Sequence, residues 1–162
     1  MQTAIFAAGC FWGVQDYFDK VDGVVKTTAG YTGGHVANPT YEQVCSHTTG
    51  HAEAVKIEFD PHIISYDKLL QHFFYMHDPT QMNRQGPDVG DNYRSAIFYT
   101  DNVQKTAAEH TITALADQKK YDKPIVTEVT AATEFYPAED YHQKFVKKNG
   151  YGTCHVDPPE SL

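Results

Sequence analysis

Two periods of apolar residues alternate along this chain. Thr3–Ala8 is a short, mostly apolar run that predicts a buried strand, and it ends at Gly9-Cys10, where the period changes. From Phe11 onward apolar residues fall at Val14, Tyr17, Phe18 and Val21, one face of a helix with Gly23 as its stop, which puts Cys10 at a helix N-terminus. Val24–Tyr31 predicts a second strand and Thr32–Thr40, rich in Gly, Asn and Pro, a loop with room for function. Glu53–Asp60 alternates as a strand does, and Tyr66–His77 carries Leu69, Leu70, Phe73 and Phe74 at helical spacing. Asp78–Tyr93 predicts a loop too long to be a mere connector. Ser95–Thr100 predicts a strand, Asn102–Lys120 a helix, Ile125–Ala131 a strand and Ala138–Lys148 a last helix. Residues 149–162, with Pro158-Pro159, predict an irregular, mobile tail.

Interleaved strands and helices, with one strand of unlike faces, point to an α/β (α+β) two-layer sandwich. The 162 residues fit a single domain spanning 1–162. At 41% hydrophobic and 13% aromatic residues the chain is too apolar for disorder, and no apolar run reaches the roughly 18 residues of a membrane span. The start, Met1-Gln2-Thr3, lacks the regions of a signal peptide, so cytoplasmic residence is expected. A net charge of -8 without a basic cluster argues against nucleic acid as a partner. Three cysteines cannot all pair within one molecule, so each is a buried hydrophobe, a ligand or a redox group.

Cys10 lies where unpaired backbone N–H groups and the helix dipole favour a thiolate; the alternative is a small buried hydrophobe. A thiol hydrolase with a histidine base is a further alternative for Cys10 and Trp12. In Glu53–Asp60, period two places Val55, Ile57 and Phe59 on one face and Glu53 in phase with them. A carboxyl desolvated there would hold its proton near neutrality and act as a general acid; a strand starting one residue later would leave it solvated. Tyr41 and Tyr93, in irregular segments, offer either hydroxyl donors or packing rings. Cys154, in the glycine-bearing tail, suits a resolving thiol, and Cys45 is the alternative. Cys45, His47 and His51 could instead be read as metal ligands, although a second ligand pair is lacking, and His142 reads as a surface or core histidine rather than a base.

Eight ordered blocks carry a family resemblance: Gly9-Cys10-Phe11-Trp12-Gly13, Gly30-Tyr31-Thr32-Gly33-Gly34, Asn38-Pro39-Thr40-Tyr41, Gly50-His51-Ala52-Glu53-Ala54-Val55, His77-Asp78-Pro79-Thr80, Arg84-Gln85-Gly86-Pro87-Asp88-Val89-Gly90, Tyr93-Arg94-Ser95 and Phe135-Tyr136-Pro137-Ala138-Glu139-Asp140-Tyr141-His142-Gln143. With them the chain resembles peptide methionine sulfoxide reductases of the A class, which act on the S epimer. The resemblance implies a ferredoxin-like sandwich with added loops. It makes Cys10 the nucleophile, Glu53 the proton donor to the sulfoxide oxygen, and Tyr41 and Tyr93 the hydroxyls that hold that oxygen. Phe11 and Trp12 would receive the substrate methyl, Asp88 would help organise the site, and Cys154 would be the recycling cysteine. It further implies a monomer without cofactor or metal, acting on oxidised proteins or methionine sulfoxide. Cys10 would become a sulfenic acid and then a Cys10–Cys154 disulfide, reopened by thioredoxin or a similar dithiol. The chain departs from the family at Asn92, where Gln is frequent, and in having one tail cysteine where some relatives have two.

Overall fold

The computed structural model describes residues 1–152 and 156–162. Its six-stranded sheet has the order β7-β6-β1-β3-β2-β8, from β1 (Gln2–Ala8), β2 (Val24–Thr32), β3 (Ala52–Phe59), β6 (Ser95–Tyr99), β7 (Glu128–Ala131) and β8 (Phe135–Pro137). Only β6 and β7 pair in parallel; the other neighbours are antiparallel. Helices α1 (Phe11–Asp19), α3 (Tyr66–Met76) and α4 (Asn102–Asp117) supply the apolar side chains that cover one face, so the fold is mixed α and β with helices on one side of the sheet.

β1 lies at the centre and is covered on both faces, which is why its sequence is a continuous apolar run. Ala4, Phe6 and Ala8 face the helices, meeting Phe18 and Phe73. Ile5 and Ala7 face the other way and pack with Ala52, Ala54, Ala96 and Phe98 beneath Phe135. That second face is built of small residues and roofed by irregular chain, so the two faces are indeed unlike. The face of β3 expected to meet solvent is only half exposed at Lys56 and Glu58, and the Lys56 ammonium lies 5.5 Å from the centre of the Phe135 ring.

Local signals set the helix starts. Ser65 accepts from Lys68 N at 3.1 Å and Asp101 from Gln104 N at 2.8 Å, caps worth ~1 kcal/mol each. The segment after Pro39 forms a short helix, α2 (Tyr41–Cys45), closed by a reciprocal capping box between Thr40 and Gln43.

Three expectations need correction. First, α1 and α4 stop at Asp19 and Asp117, and the strand expected from Ile125 begins only at Glu128. Second, the loop Asp78–Tyr93 is not wholly irregular: it holds a small hairpin, β4 (Arg84–Gln85) with β5 (Asp88–Val89), and a 3₁₀ turn, Asp91–Tyr93. Third, Ala138–Lys148 is not a helix. After β8 the chain forms a 3₁₀ turn, Asp140–His142, and then α5 (Phe145–Asn149), with Gln143 extended and Lys144 left-handed at φ 57°. The cause is Gln143, whose side-chain amide pairs with both backbone groups of Ala29 at 2.9 Å and donates to Ala138 O at 3.0 Å. It adds a rung to the β2–β8 ladder, which a continuous helix would break.

Candidate active site

Gly9, with φ 98°, turns the chain sharply from β1 into α1, a conformation that side-chain-bearing residues disfavour. Cys10 follows as the N-cap residue of α1 and is half-buried. The neighbouring strand β3 brings Glu53 beneath it: Phe11 N, the first backbone donor of the helix, gives its hydrogen to Glu53 Oε1 at 3.2 Å. Glu53 is 1% exposed, so the reading of a solvated strand end fails and the period-two reading holds.

Burial pushes the Glu53 carboxyl up to about 8, and the nearby Asp88 charge acts in the same direction. The Phe11 N–H opposes the shift, and so does the Asn92 amide dipole facing the carboxyl. Glu53 Oε2 and both amide atoms of Asn92 are nevertheless buried without a hydrogen bond of ordinary geometry among the described residues. Asn92, itself 1% exposed, is thus a polar wall of the site that sequence reasoning noticed only as a departure in a loop.

Tyr41, at the start of α2, and Tyr93, at the end of its 3₁₀ turn, are both half-buried. Burial raises both hydroxyls well above the ordinary range, and the charges of Glu53 and Cys45 add to it. Cys10 and Asp88 also act on Tyr93. Both tyrosines are therefore neutral hydroxyl donors near neutrality, grouped with Cys10, Glu53 and Asp88. Tyr41 is set in place from behind, since Glu139 accepts from Tyr41 N at 3.0 Å and from the Tyr31 hydroxyl at 2.9 Å. Cys45 belongs to the same cluster. Burial pushes its thiol up, helped by Glu53 and Glu42 and opposed by the Tyr41 hydroxyl.

Phe11 and Trp12 have different surroundings. The Phe11 ring is fully buried, 5.6 Å from Tyr31 and 5.1 Å from His142. Trp12 is half-buried, stacks on Phe145 at 3.7 Å, and donates its indole N–H to His142 Nδ1 at 2.8 Å. His142 is fully buried among Phe11, Trp12, Tyr41 and Tyr141, a core position rather than a surface one. Nothing in its local sequence reveals this, because its partner Trp12 is 130 residues away.

The metal reading loses its ligands. His51 is buried with both ring nitrogens engaged, Nδ1 accepting from Gly34 N at 3.0 Å and Nε2 donating to Val36 O at 2.7 Å. Among the described residues no group of three His, Cys, Asp or Glu side chains is placed to hold an ion, and no helix is long and apolar enough to cross a membrane. Cys154 lies outside the described residues.

An N-cap thiol, a buried high-affinity proton holder and two neutral hydroxyls suit attack on an electrophilic atom whose oxygen is being protonated. Comparison with known proteins agrees. Residues 2–161 match the family model described as peptide methionine sulfoxide reductase. The peptide methionine sulfoxide reductase MsrA of Methanosarcina acetivorans is 54% identical, over 93% of this chain and 80% of its own length. That of Acidobacterium capsulatum is 51% identical, over 96% of this chain and all of its own. Among solved structures, reduced Mxr1 from Saccharomyces cerevisiae is 31% identical with a TM-score of 0.90, covering 98% of this chain and 92% of that one. Methionine sulfoxide reductase A of Corynebacterium diphtheriae is 36% identical with a TM-score of 0.81, covering 94% and 77%. Relatives so similar over nearly the whole chain, joined to a site able to attack and protonate at once, leave one conclusion: the chain belongs to the peptide methionine sulfoxide reductase family.

Proposed function

We propose that this chain reduces the S epimer of methionine sulfoxide, in proteins and as the free amino acid, with Cys10 as nucleophile and Glu53 as proton donor. The observation that carries the assignment is the Glu53 carboxyl, 1% exposed and raised to about 8, hydrogen-bonded to the first N–H of the helix that Cys10 caps. A carboxyl still protonated at neutrality can give its proton to the sulfoxide oxygen, and doing so makes the sulfur electrophilic. Tyr41 and Tyr93 hold that oxygen by donating to it, Asp88 helps keep Glu53 protonated, and Phe11 and Trp12 receive the methyl group.

The Cys10 thiolate attacks sulfur as Glu53 protonates the oxygen; the bond from sulfur to that oxygen and the new bond to Cys10 then break as the hydroxyl passes to the Cys10 sulfur, so methionine leaves as the thioether and Cys10 is left a sulfenic acid. Cys154 then attacks Cys10, expelling water and closing a disulfide. Residues 149–162 act in this scheme as the tail that delivers Cys154, within a single domain spanning 1–162. Cys45 is the poorer resolver because its thiol is held protonated by burial. Thioredoxin or a similar dithiol reopens the bond. Mxr1 from Saccharomyces cerevisiae, which shares this fold, has been solved in complex with Trx2. We assign the chain to the cytoplasm, as a monomer, in keeping with its reducible thiols.

The test is dithiothreitol-driven reduction of the separate S and R sulfoxides of a blocked methionine by wild type and Cys10→Ser. Reduction of the S epimer alone, abolished in the variant, is the expected result. Activity surviving in Cys10→Ser, or equal reduction of both epimers, would refute the assignment.

A further inference from the structure

We infer that His142 is a positioning residue for the methyl pocket: by accepting the indole N–H of Trp12 it fixes the wall against which a methyl sulfoxide is told from larger homologues. The inference rests on the assignment of Phe11 and Trp12 to the substrate methyl.

Trp12 is held from two sides by chain that lies far from it in sequence. One side is the stack on Phe145, with ring planes 5° apart and centres at 3.7 Å. Stacking lets an indole slide and turn within its own plane. The bond from Nε1 to His142 Nδ1, 2.8 Å long, removes that freedom. Because an indole nitrogen only donates, His142 Nδ1 must be bare, and the neutral ring carries its hydrogen on Nε2. Nε2 is buried with no hydrogen-bond partner among the described residues, so His142 gives up that bond there to present an acceptor at Nδ1. Burial also lowers its proton affinity, against the pull of Glu139 and Glu42, which keeps the acceptor available. His142 in turn is seated against Phe11, the second wall, at 5.1 Å and Tyr41 at 4.4 Å. One imidazole thus sets the spacing between both pocket rings and one of the oxygen-holding tyrosines.

The test uses His142→Phe, which keeps an aromatic ring without an acceptor, and His142→Gln, which keeps an acceptor without the ring. The readout is the ratio of kcat/KM for the blocked methionine S-sulfoxide to that for its S-ethyl homologue. One extra methylene in a fixed pocket costs about 10-fold or more. We expect His142→Phe to narrow the wild-type ratio about 10-fold and His142→Gln to restore most of it. Trp12 is the single tryptophan, so its emission should shift in His142→Phe and return in His142→Gln. In the wild type, long-range ¹⁵N–¹H spectra should show the Nε2–H tautomer, a measurement that needs no variant to fold. An Nδ1–H tautomer, or an unchanged methyl-to-ethyl ratio in His142→Phe, would overturn the inference alone. A wild type that reduces neither sulfoxide would overturn the proposed function as well.

Discussion

Glu53 is asked to keep a proton at a pH where a solvated glutamate has lost it, and its place at the start of β3 does this by removing water. The folded protein holds that proton up to about 8, whereas an unfolded chain releases it near 4.5. Between those values the native state binds the extra proton, so stability falls as pH rises, by up to ~1.4 kcal/mol per unit. Glu53→Gln should therefore flatten the wild-type decline between pH 5 and 8, measured by denaturant unfolding. In single-turnover assays the wild-type rate should fall above about pH 8, and the same variant should slow methionine formation by about 10²–10⁴-fold and lose that fall. A near-normal rate with an intact alkaline limb would make Glu53 structural. The burial of Glu53 could be read from single-residue alternation, because a strand's two faces are written directly into neighbouring residues. Asn92 and His142 could not, since their burial comes from contacts made far along the chain.

At the scale of elements, five of the six sheet strands and the three covering helices were legible from their periods, while the edge strand β8 was not, and Cys10 was correctly placed at a helix start. The C-terminal segment was not, because the residues that break its helix do so through side chains. Gln15 accepts from Lys144 N at 2.9 Å and the Gln143 amide pairs with Ala29, so hydrogen bonds from two glutamines replace the helical ladder. Glutamine is an ordinary helix residue, and composition gives no warning of this use. Gln143→Leu should leave the Ala29 N–H unpaired, since the Ala29 carbonyl keeps its bond from Ala138 N at 2.8 Å, and cost roughly 1–3 kcal/mol. The thermal midpoint should fall by several degrees. Because this rung anchors the segment carrying His142 and Phe145, the Trp12 emission should change with it. An unaltered midpoint would mean that β8 and α5 hold the segment without Gln143.

Across the whole molecule, the tail is described on both sides of Cys154. On the near side Gly152, with φ 103°, presses on the ring pair: a Cβ there would lie 3.1 Å from both Phe145 and Trp12. On the far side Lys20 pairs with Asp157 at 2.7 Å, and Lys68 donates to the carbonyl of Leu162, which lays residues 156–162 across the ends of α1 and α3. The Lys20–Asp157 pair is largely exposed and contributes little, so the tail's hold on the body there is weak and open to exchange. Cys154 lies outside the described residues, between that glycine and that tether, and is the proposed resolving thiol; Cys45, in α2, has its thiol pushed up by burial, which makes it the weaker nucleophile. Cys154→Ser should accordingly release one equivalent of methionine per enzyme and then stop when a dithiol protein is the reductant, while dithiothreitol, small enough to enter the site, sustains turnover. Cys45→Ser should turn over with either. Sustained turnover of Cys154→Ser with the protein reductant, lost again on adding Cys45→Ser, would transfer the resolving step to Cys45 and make the tail a mere cover for the aromatic wall.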